Sequence, residues 1–508
     1  MRRCNISGKR LKIISLWIIA LPLLASFASA ELVDEESLYE RIEELSSEVE
    51  SLLETIESQA DEFSRIKIRG NVKVRLRDTT HSDVPDPMGP YGEALIKGLK
   101  LNHRMILEME ARISEKLTAG GMLRLSNENE IVFDTGPERL SSDRGSVFVR
   151  YNLRNFGWTM GYYDVHFTPL TLMRWDMDDN PEGGGTSRCA VCPSEGGTVT
   201  AESLEELGTD LTFEGSKMDA NLWDNLNVVA LFARPRIAQE RETYEQYLYG
   251  TNVKLRSYHK PSTSFRWLGL TAIYITDDYK SVENPSRILY FPIDNEVYGV
   301  DFNLPLGTPL LLKGELAYSR FLEKKIEIQD EEKNGNAILM SALLKYPQRL
   351  STGVSYLRIS PEYKSIYNAL SYSSNNHGFR ISSSYDIIRD NISVWVFYKW
   401  LRELESTVKN IPDLLRSSST ASSGITAKII RDLRIQTSYI LRSSQRDGEV
   451  DIDAVDALMH NVNVEFIYDL SRESNVSIKY QYVRHRDKIN SELDHHANIT
   501  SVLVSTKF

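Results

Sequence analysis

The sequence predicts an all-β protein: a transmembrane, up-and-down antiparallel β-barrel of about 16–20 strands, best count 20, preceded by an N-terminal α-helical coiled coil. Three observations support this fold class. Residues 66–77 alternate between apolar and polar side chains, the links between later strand-like segments alternate between long and short, and no apolar run beyond Leu24 is long enough for a membrane-spanning helix. We expect three parts: residues 1–30, 31–65 and 66–508.

Residues 1–30 have the pattern of a secretory signal peptide. A basic start precedes the apolar run Ile13–Leu24, and the small residues Ala28-Ser29-Ala30 precede Glu31. The alternative is a membrane anchor, but the apolar run is short and a cleavage motif follows it. We therefore predict cleavage after Ala30 and export of the remaining chain.

Residues 31–65 predict an acidic periplasmic coiled coil, because 13 acidic residues oppose two arginines around a heptad seam. A lone helix of this length is marginal in water, so the seam favours a partner helix from a second copy of the chain. The core residues favour a dimer, whereas the barrel could impose a trimer, and a helix folded back on its own domain is the alternative. The seam consists of Leu38, Ile42, Leu45, Val49, Leu52, Ile56, Gln59 and Phe63.

The net charge of the 508-residue chain is -11, and most of that acidity lies in residues 31–65. The rest of the chain has no strong overall charge. Nucleic-acid binding would need a basic surface beside aromatic platforms, so this composition gives no indication of it.

The stretch Ile66–Arg77 is the clearest strand, because its even positions are mainly aliphatic and its odd positions carry cations. Such contrast is typical of a strand that separates lipid from a water-filled lumen. The alternative is an edge strand of a soluble sheet. The predicted pore-lining basic ladder consists of Lys67, Arg69, Lys73, Arg75 and Arg77.

Further strand-like segments recur to the end of the chain, and the links between them alternate between long and short. Short links of a few residues, such as 347–348 and 389–390, alternate with long ones, such as 78–100 and 165–208. Outer-membrane barrels have this asymmetry, with short periplasmic turns and long extracellular loops. The other predicted strands are 101–113, 118–126, 145–154, 156–164, 209–216, 225–234, 246–258, 264–276, 295–304, 309–322, 336–346, 349–359, 377–386, 391–401, 423–431, 433–443, 459–469, 475–486 and 496–508.

The last residues alternate up to a terminal aromatic, Phe508, which resembles the closing strand of bacterial outer-membrane β-barrels. The whole layout of signal peptide, acidic coiled coil and long barrel resembles the Gram-negative porins that carry a periplasmic coiled coil. This resemblance implies a passive diffusion channel for small hydrophilic solutes in the bacterial outer membrane. Its implied partners are outer-membrane lipid, the barrel assembly machinery and further copies of the chain, as a trimer or dimer.

The basic ladder of the first strand has two interpretations. Cations on the wall of a narrow, low-dielectric pore concentrate anionic solutes. They could instead form cross-strand ion pairs, because the next predicted strand supplies Glu108 and Glu110.

The link 165–208 follows the fifth predicted strand and contains Asp176, Asp178 and Asp179. In porins the loop at this place folds inward and narrows the pore, so the resemblance makes these acids candidates for a constriction. The alternative is an ordinary solvated surface loop.

Cys189 and Cys192 are the only cysteines after residue 30, and we expect a small disulfide because the exported chain meets an oxidising compartment. No further ligand motif accompanies them, so we predict no metal site and no cofactor. The familiar hydrolase and nucleotide-binding motifs are absent from the sequence, which favours a protein without enzymatic activity. The alternative functions are a structural anchor that tethers the coiled coil to the cell wall or a partner and, less favoured, a barrel hydrolase.

Overall fold

Twenty long strands occupy the described part of the computed structural model, and each overlaps one of the segments predicted from the sequence. The structure describes residues 47, 65–82, 98–126, 131–132, 141–175, 208–209, 211–223, 225–236, 244–257, 266–282, 291–306, 309–324, 331–346, 349–369, 374–389, 391–405, 415–446, 455–489, 491 and 494–507. The chain divides into two compact units, Met1–Ile66 and Lys67–Phe508. The predicted signal peptide and coiled coil fall in the first unit and, apart from residues 47 and 65, lie outside the described residues, as does Phe508.

The long strands follow one another along the chain as antiparallel neighbours. They are β1 (Ile66–Ser82), β2 (Gly98–Arg112), β3 (Leu117–Ser126), β5 (Ser141–Asn152), β6 (Phe156–Val165), β9 (Leu211–Leu222), β10 (Leu226–Arg236), β11 (Glu245–Ser257), β12 (Arg266–Asp278), β13 (Ile293–Leu306), β14 (Leu310–Glu323), β15 (Glu331–Tyr346), β16 (Leu350–Ile359), β18 (Asn376–Ile388), β19 (Ile392–Glu403), β20 (Arg416–Ile430), β21 (Leu433–Arg446), β22 (Val455–Asp469), β23 (Ser474–Asp487) and β24 (His495–Lys507).

Four short strands complete the described elements. β4 (Ile131–Val132) pairs with the first residues of β2 in the antiparallel direction. A separate small sheet consists of β7 (Met173–Trp175), β8 (Gly208–Thr209) and β17 (Asn368–Ala369). A 3₁₀ turn, Tyr279–Ser281, follows β12, and the Asp278 side chain accepts a hydrogen bond from the Lys280 amide. In the part of the chain that the structure describes, no helix has the length and apolar character needed to cross a membrane.

The sheet closes on itself, because the first and last strands pair. The register of β1 and β24 runs without interruption from Asn71 opposite Lys507 to Ser82 opposite His496. Closure removes the unpaired edges that an open sheet would expose. The architecture is therefore a closed antiparallel β-barrel, as the sequence predicted.

The two faces of the wall differ as the period-2 pattern requires. On β1 the side chains of Arg75 and Arg77 are 2% and 1% exposed, whereas those of Val74 and Leu76 are 37% and 39% exposed. The same alternation recurs on β23, where Ser477, Lys479 and Gln481 point inward. On these strands, apolar and aromatic side chains therefore cover the outside, and polar side chains face the lumen.

The links at one end of the barrel are short, most with two to four residues, and those at the other end are longer. Short turns close with local backbone hydrogen bonds, such as Asn391 N to Ile388 O at 3.0 Å and Ser471 N to Ser474 O at 3.1 Å. The exception at this end is the link 258–265 between β11 and β12. We call the two ends the short-link mouth and the long-link mouth.

The outward orientation of mid-strand apolar residues can be tested on β18. Ile381 is 40% exposed on the outer face, so we expect Ile381→Arg to lower the free energy of unfolding in lipid vesicles by about 2–4 kcal/mol, the cost of a cation on the lipid face. Guanidinium titration of vesicle-inserted protein measures this difference. Ile381→Val is the control and should change it by less than about 1.5 kcal/mol. Equal effects of the two variants would contradict the lipid-facing assignment.

Candidate functional site in the barrel lumen

Two connecting segments turn into the barrel and meet inside it. The first is residues 166–172, directly after β6, in which Phe167, Leu170 and Leu172 are buried. The second is residues 360–367, between β16 and β18, in which Tyr363 and Ser365 are buried. We call these two segments together the inward loop pair.

The two segments bind each other through side-chain donors and backbone acceptors. The Tyr363 hydroxyl donates to the Leu170 carbonyl at 2.5 Å, and the Ser365 hydroxyl donates to the Thr171 carbonyl at 2.5 Å. Burial raises the pKa of the Tyr363 phenol above its usual range, so the hydroxyl keeps the proton that it donates. Both carbonyls of the first segment therefore have hydrogen-bond donors inside the barrel.

Glu315 on β14 anchors the first segment to the wall. Its carboxyl accepts hydrogen bonds from the Thr168 hydroxyl at 2.5 Å and from the Leu170 amide at 3.0 and 3.1 Å. Glu315 is buried on the inward face. Since β9 to β13 separate β6 from β14 in the sheet, residues 166–172 cross part of the lumen to reach this carboxyl.

The second segment docks on the same side of the barrel. The Asn295 side chain donates to the Lys364 carbonyl at 3.0 Å and accepts from the Ile366 amide at 3.3 Å. The Lys364 amide donates to the Ser319 hydroxyl at 2.9 Å. The Tyr367 hydroxyl donates to Gln246 on β11, and its ring meets Phe213 edge-on at 5.3 Å between centroids. Both segments are therefore fixed to the arc of wall from β9 to β15.

Apolar packing fills the space between the inward loop pair and this arc. The buried cluster includes Phe167 and Leu172 from the first segment, with Ile366 and Tyr367 of the second segment packed against it. The wall contributes Tyr163, Val165, Phe213, Leu231, Ala233, Leu248, Ile273, Ile275 and Val297. The small sheet of β7, β8 and β17 joins the ends of the two segments, with β7 parallel to β17 and antiparallel to β8. The inward loop pair is thus a packed element of the lumen.

Several inward cations lie on one line across the barrel wall, in which each residue is directly opposite the next on the neighbouring strand. Arg380, Lys399, Thr420 and Arg442 lie directly opposite one another on β18, β19, β20 and β21. In one direction the line continues through Ser355 and Ser341 to Lys313, then through Asn303 and Trp267 to Arg256. In the other it continues through Met459 to His485 and His495. We call Arg256, Lys313, Arg380, Lys399 and Arg442 the cation row.

The cation row climbs along the barrel axis, because barrel strands are tilted and a line perpendicular to them is tilted too. Arg256 lies next to the end of β11 at the short-link mouth, and His495 begins β24 at the long-link mouth. Among the described positions on this line, none is a carboxylate. The cation row therefore begins with Arg256 at the short-link mouth and ends with Arg442 within β21.

Three inward carboxylates, on β12, β13 and β14, accept hydrogen bonds beside the inward loop pair. The Trp267 indole donates to Asp301 at 2.7 Å, and the Gln246 amide donates to Asp277 at 2.7 Å. Glu315, directly opposite Asp301 in register, holds the first inward segment. Other inward acids lie beside cations, since Glu465 is directly opposite Lys479 and the Glu403 carboxylate is 3.5 Å from the Arg446 guanidinium. Acids and cations are thus interspersed around the lumen.

The structure places the predicted ladder of β1 on the inward face. Arg75 and Arg77 are buried, Lys73 is half-buried, and Lys67 and Arg69 near the short-link mouth are exposed. Arg77 lies opposite Ser501, which lies opposite Lys479. Glu108 and Glu110 also occupy inward positions on β2, so the choice between solute attraction and ion pairing stays open.

The sequence left two alternatives for the link after β6, an inward constriction and a solvated surface loop; its first residues, 166–172, turn into the barrel. Asp176, Asp178 and Asp179, as well as Cys189 and Cys192, lie outside the described residues, so their roles stay predictions. Sequence reasoning missed the second inward segment. The sequence feature that could have indicated this segment is the pair Tyr363 and Tyr367 within a loop, because two large aromatic side chains need a surface to pack on.

No protein-family model matches the chain, and no curated protein matches it. Solved structures similar to it include Pseudomonas aeruginosa OpdL, with 11% sequence identity and a TM-score of 0.44 over 88% of this chain and 99% of that chain. The outer membrane protein OprD from Pseudomonas aeruginosa has 10% identity and a TM-score of 0.41 over 87% and 94% of the two chains. A BenF-like porin from Pseudomonas fluorescens has 12% identity and a TM-score of 0.43 over 87% and 98%.

The anchoring role of Glu315 predicts a local change in hydrogen exchange. Glu315→Ala removes the acceptor of the Leu170 amide, and leaving a buried donor without its hydrogen bond costs about 1–3 kcal/mol. We expect exchange in a peptide covering residues 166–172 to accelerate by about 5- to 100-fold. Hydrogen–deuterium exchange mass spectrometry measures it.

Asp301→Ala is the matched control, because it removes a neighbouring inward carboxylate whose described partner is Trp267. Exchange in residues 166–172 should stay within about threefold of the unmodified protein. If both variants accelerate exchange equally, Glu315 is not the anchor.

Proposed function

We propose that this chain is a porin of the Gram-negative outer membrane, a passive channel for small hydrophilic solutes with a preference for anions. The observation that carries this proposal is the cation row on the inward face of a closed barrel. Cations spaced along a low-dielectric wall raise the local concentration of anions and lower the barrier to their passage. The function is a channel rather than an enzyme.

The exterior of the barrel supports the membrane placement. Large apolar side chains are exposed on the outer face of strand after strand, for example Leu270, Val354, Val396 and Ile478. In water such a surface would associate, whereas in a bilayer it faces acyl chains. With export of the chain, the short-link mouth faces the periplasm and the long links face the outside.

The size of the barrel and the inward loop pair support a restricted channel. Barrels of about 16–18 strands already leave an aqueous lumen, so one of 20 needs internal elements to narrow it. The inward loop pair supplies such an element on the arc from β9 to β15. Solutes would pass between this element and the part of the wall that carries Arg380, Lys399 and Arg442. The acids Asp176, Asp178 and Asp179 would extend the constriction if the rest of the link also folds inward.

The residues before the barrel complete the proposal. Residues 1–30 act as a cleaved signal peptide, and residues 31–65 form an acidic periplasmic coiled coil that assembles copies of the chain into a dimer or trimer. The heptad seam from Leu38 to Phe63 supports this. The barrel is inserted by the barrel assembly machinery, and Cys189 and Cys192 form a disulfide in the external loop.

Salt-gradient reversal potentials in planar bilayers test the channel and its selectivity. We expect the unmodified protein to conduct with an anion preference that weakens between 0.1 M and 1 M salt, because the screening length falls from about 10 Å to 3 Å. The triple variant R380Q/K399Q/R442Q should lower the anion-to-cation permeability ratio at 0.1 M salt several-fold.

The control is R402Q/R484Q/R486Q, which removes the same charge from exposed positions of the outer wall. Its permeability ratio should equal that of the unmodified protein. Absence of conductance would contradict the channel, and an unchanged ratio in the inward triple variant would contradict the role of the cation row.

The two interpretations of the β1 ladder predict different results for Lys73→Gln and Arg75→Gln. If the cations attract solutes, each variant lowers the anion preference and leaves the unfolding temperature in detergent within a few degrees. If they form wall ion pairs, the unfolding temperature falls instead, because loss of one partner leaves the other charge uncompensated. Reversal potentials and thermal unfolding of the same preparations distinguish the two. An unchanged permeability ratio in both variants would contradict the solute-attracting ladder.

A further inference from the structure

We propose that the outer wall carries a binding site for the phosphorylated headgroup of an outer-leaflet glycolipid, formed by Arg358, His377 and Arg402. The site lies outside the lumen and is separate from the transport path. It rests on the outer-membrane placement proposed above, because it needs a lipid leaflet beside the long-link mouth.

The three residues form one row across adjacent strands. Arg358 on β16 lies opposite His377 on β18, which lies opposite Arg402 on β19. Both arginines are exposed, and each of the three residues is one position from the end of its strand at the long-link mouth. Neighbouring strands are about 4.8 Å apart, so the two arginine backbones are about 10 Å apart. Long guanidinium side chains at this spacing can bind one headgroup together.

Aromatic residues mark the depth of the row in the membrane. Tyr356 and Trp400 precede Arg358 and Arg402 by two residues on the same outer face, and Phe379 follows His377 by two. The Phe379 and Trp400 rings are 5.8 Å apart, and His377 meets Trp400 edge-on at 5.7 Å. Barrels place aromatic girdles at the membrane interfaces. The cationic row directly beyond this aromatic group therefore lies at the level of lipid headgroups.

Among the described residues no carboxylate balances the charge of this row, whereas other cations near the long-link mouth have carboxylate partners. Arg320 pairs with Glu332 at 3.1 Å, Lys324 with Asp294 at 2.7 Å, and Lys488 with Asp456 at 2.8 Å. Within the described residues, Arg358 and Arg402 have no carboxylate at ion-pair distance.

The positions that flank the row in register are neutral. Ile338 lies opposite Arg358, and Ser417 lies opposite Arg402. An anion from outside the chain would therefore complete the row.

A phosphorylated lipid fits this surface better than a small anion. Guanidinium groups bind phosphate through paired, charge-assisted hydrogen bonds. Below the row, toward the middle of the wall, the exposed apolar side chains of Val354, Ile381 and Val396 offer a surface for acyl chains. Headgroup and chains of one amphiphile would thus contact the same outward face.

Lipid retention by the purified full-length protein tests the site. Native mass spectrometry compares micelles doped with a bisphosphorylated diglucosamine glycolipid with micelles doped with its dephosphorylated form. We expect the unmodified protein to retain the phosphorylated form at least about tenfold better, and R358Q/R402Q to lose this preference. The single variants R358Q and R402Q should show intermediate retention, and they replace the double variant if it does not fold.

The matched control is R234Q/R320Q, which removes two exposed arginines that have carboxylate partners. It should retain the glycolipid like the unmodified protein. Equal retention by R358Q/R402Q, or displacement of the glycolipid by an equal concentration of inorganic phosphate, would overturn the proposal. Bilayer conductance of the same preparations tests the channel separately from the glycolipid site. An R358Q/R402Q variant that conducts but does not retain glycolipid supports the site. Glycolipid retention by an unmodified protein that does not conduct would contradict only the channel.

Discussion

The closed circuit of backbone hydrogen bonds around the sheet is the constraint on which the rest of the structure depends. In a hydrocarbon environment an unpaired backbone group costs several kcal/mol, so a spanning sheet must pair its first strand with its last. The pairing of β1 with β24 over the whole stretch from Asn71 to Ser82 meets this requirement. Once the circuit is closed, every residue has a fixed register and a fixed face. The position of each lumen or outer-wall side chain follows from that.

The strands were predictable from the sequence because closure in a membrane imposes a simple pattern. Lipid outside and water inside force period-2 alternation, and hairpin connectivity forces alternating link lengths. The boundaries were less predictable where polarity does not differ between faces. β1 continues to Ser82 through polar residues, while its pairing with β24 goes on unchanged. β20 begins at Arg416, ahead of the predicted segment. The sequence did not show this start, because serine, threonine and alanine occupy both faces of the first half of the strand.

The lumen was only partly predictable. The inward direction of Arg75 and Arg77 follows from alternation within one strand. The cation row does not, because it joins residues of different strands, and register between strands is set by turns and bulges that the sequence specifies weakly. The contact of Tyr363 with the Leu170 carbonyl is harder still, since a backbone acceptor leaves no side-chain signature. A single inward carboxyl, Glu315, likewise gives no sign in the sequence that it holds a distant loop.

Alternation also lets one strand serve two separate environments. On β18, Arg380 points into the lumen while His377, three residues away, belongs to the outer wall; on β19, Lys399 and Arg402 divide in the same way. An odd spacing between two residues of a strand therefore places one on the inner face and the other on the outer face. Because the wall between them is a single sheet with fixed register, a substitution on one face leaves the geometry of the other face in place. The proposed solute selectivity and the proposed lipid contact can thus vary independently within the same pair of strands.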